Sequence, residues 1–532
     1  MTAHLDLFVR NHLPPPELQP DFINLEAFSY PEILNCSDPL LDDAVKEGHG
    51  DRTAVIMDEG EWTYSNLQKE ANRIAQVLTE DLKLVPGNRV LLRAPNCYAM
   101  LYTWFGVIKA GGIAVSTMPQ LRSVELQTII NKARISLALC DRRLLEELKC
   151  IGKDSFLERL VSFNGGELEE LGKEKSGEFK NLPTTRDDPC LIAFTSGTTG
   201  QPKAVVHTQQ DMLSMCLAYS RNCLQPQPND RFIGSPPLAF TFGLGGVGLF
   251  PLDARAATIL IEQPTPGNLL AAAQRHRASV LFTSPTAYRF MLGDMGGTIP
   301  DSLRICVSAG ETLPKPTFEE WKAMTGIEIL DGIGSTEMLH IFISSRRDAI
   351  KPGSTGLPVP GYEARVVDDE MYEVPPGITG QLAVKGPTGC TYLEDKRQQK
   401  YVCDGWNLTG DSYQMDKDGY FWFQARIDDM IISGGYNIAG PEVEASLMAH
   451  PSVAECAVIG VEDKLRGQLV KAFVMLRSGF EGNDQLTGEL QDFVKQNIAP
   501  YKYPRCIQYV EGLPKTETGK IQRFRLRQQE AV

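Results

Sequence analysis

The chain has 532 residues, 42% apolar and 23% charged, an ordinary globular make-up long enough for several structural units. Lys and Arg number 53 against 67 Asp and Glu, and the net charge of −14 argues against nucleic acid as the main partner. No window approaches the ~20 consecutive apolar residues of a membrane span, the first residues lack a secretory pattern, and the twelve cysteines include no CxxC pair, so free thiols in a reducing cytoplasm are expected.

Pro14, Pro15, Pro16 and Pro20 predict an irregular N-terminal arm. The apolar spacing over 64–82 predicts a helix. Residues 89–92 read as a short strand, and 99–109 as a buried helix closed by Gly111 and Gly112. Strand and helix signals alternate to about residue 330, which predicts an α/β architecture with parallel strands. The polar stretch 153–188 reads as a surface excursion before a strand at 190–195. Between Gly353 and Asp411, short runs such as 364–367 and 381–384 sit among Gly and Pro turns and predict a β-rich subdomain. Beyond Arg426, strands are expected at 453–461 and 469–476 around a turn at 462–467, then a helix at 489–496 and a strand at 507–510. The expected organisation is a large domain of several subdomains over 1–426 and a small α+β domain over 427–532.

The most specific segment is Thr195-Ser196-Gly197-Thr198-Thr199-Gly200-Gln201-Pro202-Lys203, directly after an apolar strand. Its glycines let successive N–H groups turn into one concavity, four hydroxyls add donors and Lys203 adds charge, which suits a polyphosphate. The spacing is not that of a Walker A loop. Further segments follow in order: Ser308-Ala309-Gly310-Glu311, Gly334-Ser335-Thr336-Glu337 and Thr409-Gly410-Asp411. After them come Arg426-Ile427-Asp428-Asp429, Ser433-Gly434-Gly435-Tyr436-Asn437 and Leu513-Pro514-Lys515-Thr516-Glu517-Thr518-Gly519-Lys520. Together these resemble the signature segments of the adenylate-forming superfamily, which includes acyl- and aryl-CoA synthetases, luciferases and peptide adenylation domains. The resemblance covers nearly the whole chain.

That resemblance implies an ATP-dependent enzyme that turns a carboxylate into an acyl-adenylate and passes the acyl group to coenzyme A. A carboxylate oxygen is a very poor leaving group until attack on the ATP α-phosphate makes it part of AMP. Charge builds on that phosphate, so cations and oriented donors should surround it. Lys520 is implied as the adenylation lysine and Glu337 as the Mg²⁺ ligand, a hard oxygen donor as that ion prefers. Thr336 would bond the α-phosphate, Asp411 the ribose and Arg426 ribose or phosphate. Gly310, Glu311, Asp331 and Gly332 match the adenine side, although Ile333 stands where the family often has an aromatic residue and Ala425 where it usually has glycine. Asp428 matches the hinge about which the small domain rotates between half-reactions. Gly434, Gly435 and Tyr436 match the loop that meets coenzyme A.

The acid is specified by fewer residues. In Pro236-Pro237-Leu238-Ala239-Phe240-Thr241-Phe242-Gly243 two phenylalanines lie beside glycine and predict a flat apolar wall suited to an aromatic ring. The run from Gly334 to Phe342, with His340 within it, resembles the benzoate–CoA ligase branch, and the proline-rich N-terminal stretch resembles 2-aminobenzoate–CoA ligases. His340 is either a substrate contact or a buried structural histidine. The expected activity is an aryl-CoA synthetase. The alternatives are a ligase for a compact aliphatic or branched acid and a stand-alone adenylation enzyme loading a carrier protein. The expected partners are a carboxylic acid, ATP, Mg²⁺ and coenzyme A, and a homodimer is compatible with the sequence.

Overall fold

The strands Arg89–Arg93, Ile113–Thr117 and Leu137–Asp141 are buried at every residue. Burial on both faces is the mark of parallel strands covered by helices. The computed structural model, which describes the chain apart from residues 1, 24–25, 153, 196–201, 295–298, 312, 427–429, 515–520, 522 and 531–532, places them at the centre of a six-stranded sheet. Its order is Arg159–Phe163, Leu137–Asp141, Arg89–Arg93, Ile113–Thr117, Pro189–Thr195 and Lys203–Thr208, parallel except for the last pair.

A nine-stranded sheet forms the other half of the body. Ile329–Gly334, Ile305–Ser308, Val280–Thr283, Arg231–Gly234, Ala257–Ile259 and Thr53–Met57 run parallel across its middle, and antiparallel strands close both edges. Two helices fill the space between the sheets. Tyr64–Gln76 starts at Thr63, whose hydroxyl accepts the Asn66 N–H, and Tyr98–Lys109 is buried throughout. Ile74, Trp104 and Phe105 on these helices share one core cluster with Leu92 of the first sheet and Phe232 and Phe282 of the second.

The polar stretch 153–188 departs from expectation. It contains the strand Arg159–Phe163 and the helix Glu167–Gly172. An edge strand buries only alternate residues, here Val161 and Phe163, so its composition stays polar. From residue 363 the expected β-rich subdomain is an antiparallel sheet built on Glu363–Val367, Thr379–Lys385, Trp406–Met415 and Phe421–Arg426.

The small domain has its own sheet. Val453–Asp463 and Gly467–Leu476 form a long antiparallel pair, Cys506–Tyr509 joins in parallel, and the hairpin Met430–Ser433 and Tyr436–Ala439 flanks them. Val458, Val470 and Val474 pack there against Leu490 and Val494 of the helix Asp484–Asn497, in a core of its own. No helix among the described residues is long and apolar enough to cross a membrane. All twelve cysteines are free.

Candidate active site

The carboxyl ends of the parallel strands open into one crevice, where ligands of open α/β sheets bind. Thr195 ends one strand, Ser308 and Gly334 end two others, and Ser235 and Ser284 follow two more. Thr195, Ser235, Ser284, Ala309, Gly310 and Thr336 line a cavity of about 880 Å³ that reaches the small domain.

Behind Thr336 lies a buried polar cluster. The Tyr392 hydroxyl donates to Glu337 Oε1 at 2.5 Å, and Lys203 Nζ donates to the same oxygen at 3.3 Å and to the Tyr392 hydroxyl at 3.0 Å. Burial alone would raise the Glu337 carboxyl, but the Lys203 ammonium and the Tyr392 hydroxyl outweigh it and hold Glu337 below its ordinary value, ionised. His207 Nε2–H donates to the Thr336 carbonyl at 2.8 Å and fixes the backbone beside this carboxylate. Among the described residues no cluster of three or more His, Cys, Asp or Glu could hold a metal. One ionised, buried carboxylate beside a hydroxyl-lined cavity is nonetheless the donor set that Mg²⁺ uses when substrate phosphates supply the rest.

The turn after Glu337 is strained. Leu339 is buried with φ +69°, a left-handed conformation that costs a non-glycine residue about 1 kcal/mol or more. The twist carries the chain from Glu337 to His340 on the opposite side. His340 is 2% exposed and packs edge-on to Phe250, with ring centroids 4.6 Å apart, and against Phe242 at 5.6 Å. Gly245 makes room for it, since a Cβ there would lie 2.5 Å from the imidazole. Neither ring nitrogen completes a hydrogen bond to a described residue, and burial pushes the imidazole down to about 3, so it is neutral. Phe240, Phe242 and His340 all line the cavity. Gly243 does not; it packs on Pro236 and Pro237, where a Cβ would strike their carbonyl oxygens.

Among the residues expected on the nucleotide side, Asp331 is buried, burial pushes its carboxyl well up, and its Oδ1 has no hydrogen-bond partner among the described residues. Gly332 follows it inside the same strand. Burial likewise raises Glu311, whose Oε2 accepts the Thr286 hydroxyl at 2.6 Å. Asp411 and Arg426 are cross-strand neighbours in the antiparallel sheet.

Glycine 435 of the small domain donates its N–H to Glu311 Oε1, which brings the expected coenzyme A loop to the same crevice. Gly434 and Gly435 have φ of +57° and +80°, consecutive left-handed positions that glycine adopts without strain, and both line the cavity with Tyr436. Ser196, Gly197, Thr198, Thr199, Gly200, Asp428 and Lys520 lie outside the described residues. Sequence reasoning missed His207 and Tyr392. No motif marks them, and each acts through a partner far away in the chain, 129 residues for His207 and 55 for Tyr392.

Residues 41–391 match the AMP-binding enzyme family, and 442–520 match the AMP-binding enzyme C-terminal domain. The chain belongs to the AMP-binding enzyme family. It is 36% identical to the benzoate–CoA ligase of Thauera aromatica over 511 residues, 94% of this chain and 97% of that protein. It is 32% identical to the mitochondrial acyl-coenzyme A synthetase ACSM3 of Mus musculus, over 89% of this chain and 85% of that protein. Among solved structures it resembles the anthranilate CoA ligase AuaEII in complex with anthranoyl-AMP. That match has a TM-score of 0.74 and 33% identity, and covers 95% and 99% of the two chains. A benzoate CoA ligase from Burkholderia xenovorans LB400 matches at a TM-score of 0.71 and 33% identity, over 93% and 100% of the chains. This AMP-binding enzyme is an AMP-forming acid–thiol ligase of the acyl-CoA synthetase kind, with the superfamily's large α/β domain and small C-terminal domain. ATP and coenzyme A are the family's typical substrates.

Proposed function

We propose that the acid is aromatic, with 2-aminobenzoate and benzoate as the first candidates. The observation that carries this reading is the wall of Phe240, Phe242 and His340 at the cavity, apolar, neutral and built from rings. The names of two relatives, a benzoate–CoA ligase and an anthranilate CoA ligase, support it. A compact aliphatic acid is the second reading, favoured by the likeness to an acyl-coenzyme A synthetase.

In the first half-reaction a carboxylate oxygen bonds to the ATP α-phosphorus and the bond to the departing pyrophosphate breaks. Lys520 is assigned to the charge on the oxygens of that phosphate, Thr336 to a hydrogen bond with one of them, Asp411 to the ribose and Arg426 to the ribose or a phosphate. The unpartnered Asp331 oxygen suits an amine donor such as that of adenine, beside Gly310, Glu311 and Gly332. Glu337 would hold Mg²⁺, which supplies positive charge to the phosphates when bound. In the second half-reaction the thiol loses its proton, sulfur bonds to the acyl carbon, and the bond to the AMP oxygen breaks. Gly434 and Gly435 let the thiol's slender arm approach along the backbone. The two domains, 1–426 and 427–532, would exchange these roles by rotation at Asp428.

The test is a panel of benzoate, 2-aminobenzoate, hydroxybenzoates and C4–C8 aliphatic acids, read by coenzyme A-dependent AMP release. Aromatic acids should give the higher kcat/KM. A clear aliphatic preference overturns the assignment.

A further inference from the structure

Beside the cavity the small domain meets the large one through a buried lysine. Lys502 Nζ donates to Glu125 Oε1 of the large domain at 2.6 Å and to Glu442 Oε1 of its own domain at 2.7 Å. The three side chains are only 6%, 10% and 16% exposed. Glu125 is fixed from behind, because its Oε2 accepts the Arg122 N–H at 3.0 Å at the start of the helix Ser123–Ala133. The neighbour of Lys502, Tyr501, stacks on Tyr436 with centroids 4.1 Å apart and planes at 23°. Tyr436 directly follows Gly434 and Gly435, whose N–H at 435 bonds Glu311. An unbroken chain of contacts therefore runs from Glu125 through Lys502, Tyr501 and Tyr436 to the glycine loop.

We infer that Glu125 and Lys502 are positioning residues for the thioester step: their ion pair seats the Gly434–Gly435 loop at the crevice in the domain arrangement that receives the thiol. The inference rests on the two-step reading above, in which adenylate formation uses the Lys520 segment in a different arrangement. A buried ion pair suits this task. Desolvation offsets most of its Coulomb gain, so it adds little net stability, yet its geometry is exacting and both charges regain water when it opens. It selects one arrangement without making that arrangement permanent. An apolar face of similar size would resist every opening by its full burial energy.

The test separates the half-reactions. Glu125→Gln removes the charge at constant shape, and Glu125→Lys sets a second ammonium against Lys502. Acid-dependent ATP–pyrophosphate exchange reads the first step. Thioester formation from supplied acyl-adenylate and coenzyme A reads the second. Exchange should stay within about twofold, while thioester formation falls about tenfold in Glu125→Gln and about a hundredfold in Glu125→Lys, in kcat more than in KM. Equal loss of both steps, or an unchanged thioester rate, overturns the inference. Backbone hydrogen exchange over residues 433–436 is a readout independent of turnover, and it should quicken in Glu125→Lys. If the wild-type enzyme shows no exchange with any acid, the two-step reading fails. The hydrogen-exchange arm then decides the seating separately, and unchanged protection over 433–436 refutes it.

Discussion

At the end proposed for the acid the cavity is walled by Phe242 and His340, held by Phe250, Phe282 and Tyr219 of the same domain. At the end proposed for the thiol the contacts cross between domains and are polar. Gly435 bonds Glu311, Lys502 bonds Glu125, and Arg289 donates to the carbonyls of Lys464 at 2.5 Å and Leu465 at 3.1 Å. Close-packed rings resist displacement, because every lost contact leaves a void. Polar contacts between domains exchange for water at small net cost. The difference teaches that one end is built to keep its shape, while the other is held by contacts that the proposed rotation could make and break.

The largest expected effect would break the separation outright. Lys520→Ala should lower acid-dependent pyrophosphate exchange by at least about 10²–10³, while thioester formation from supplied acyl-adenylate persists. Equal loss of both would mean that the two ends do not work apart. Next, Glu337→Gln should lower exchange about a hundredfold, and Tyr392→Phe, which leaves that carboxylate short of one donor, about tenfold. An inactive thioester step in Tyr392→Phe would contradict its place at the first step alone. Phe242→Ala should cost aromatic acids about tenfold or more in kcat/KM and leave the KM for coenzyme A unchanged.

Gly435→Ala sharpens the other side. A left-handed alanine costs about 1–2 kcal/mol, so the thioester rate should fall roughly five- to thirtyfold with exchange intact. The smallest effect concerns stability. The folded protein holds His340 neutral down to about 3, whereas the unfolded chain protonates it near 6.5. Between those values the unfolded state binds the extra proton, so acid lowers stability by up to about 1.4 kcal/mol per pH unit on this account. Urea unfolding at pH 6.5 and 5.5 should show His340→Gln losing less over that interval than the wild type.

Much of this was legible beforehand, and the misses have physical causes. The buried helix 99–109 and the long strand pair of the small domain announce themselves by their predominantly apolar runs. Arg159–Phe163 does not, because an edge position asks for only two buried residues in five. The motif residues Thr336, Glu337, Gly434 and Gly435 were recognisable because they stand in short contiguous segments that resemble a family's signature motifs. Tyr392 and Lys502 were not, because their function is a contact made by tertiary folding, and a lone tyrosine or lysine carries no local mark of its distant partner.

The left-handed Leu339 has a consequence for how such an enzyme can be retailored. Glu337 and His340 stand three residues apart on one strained turn, the first facing the Lys203 cluster and the second facing the acyl wall. A substitution that reshapes the turn to admit a new acid also shifts the carboxylate, so selectivity and turnover are mortgaged to each other there. Phe240 precedes the short helical turn Thr241–Gly243, and Phe242 lies within it; Phe242 meets the strained turn only through the His340 ring, and this segment carries no residue of the Lys203 cluster, so new specificities should be sought there first.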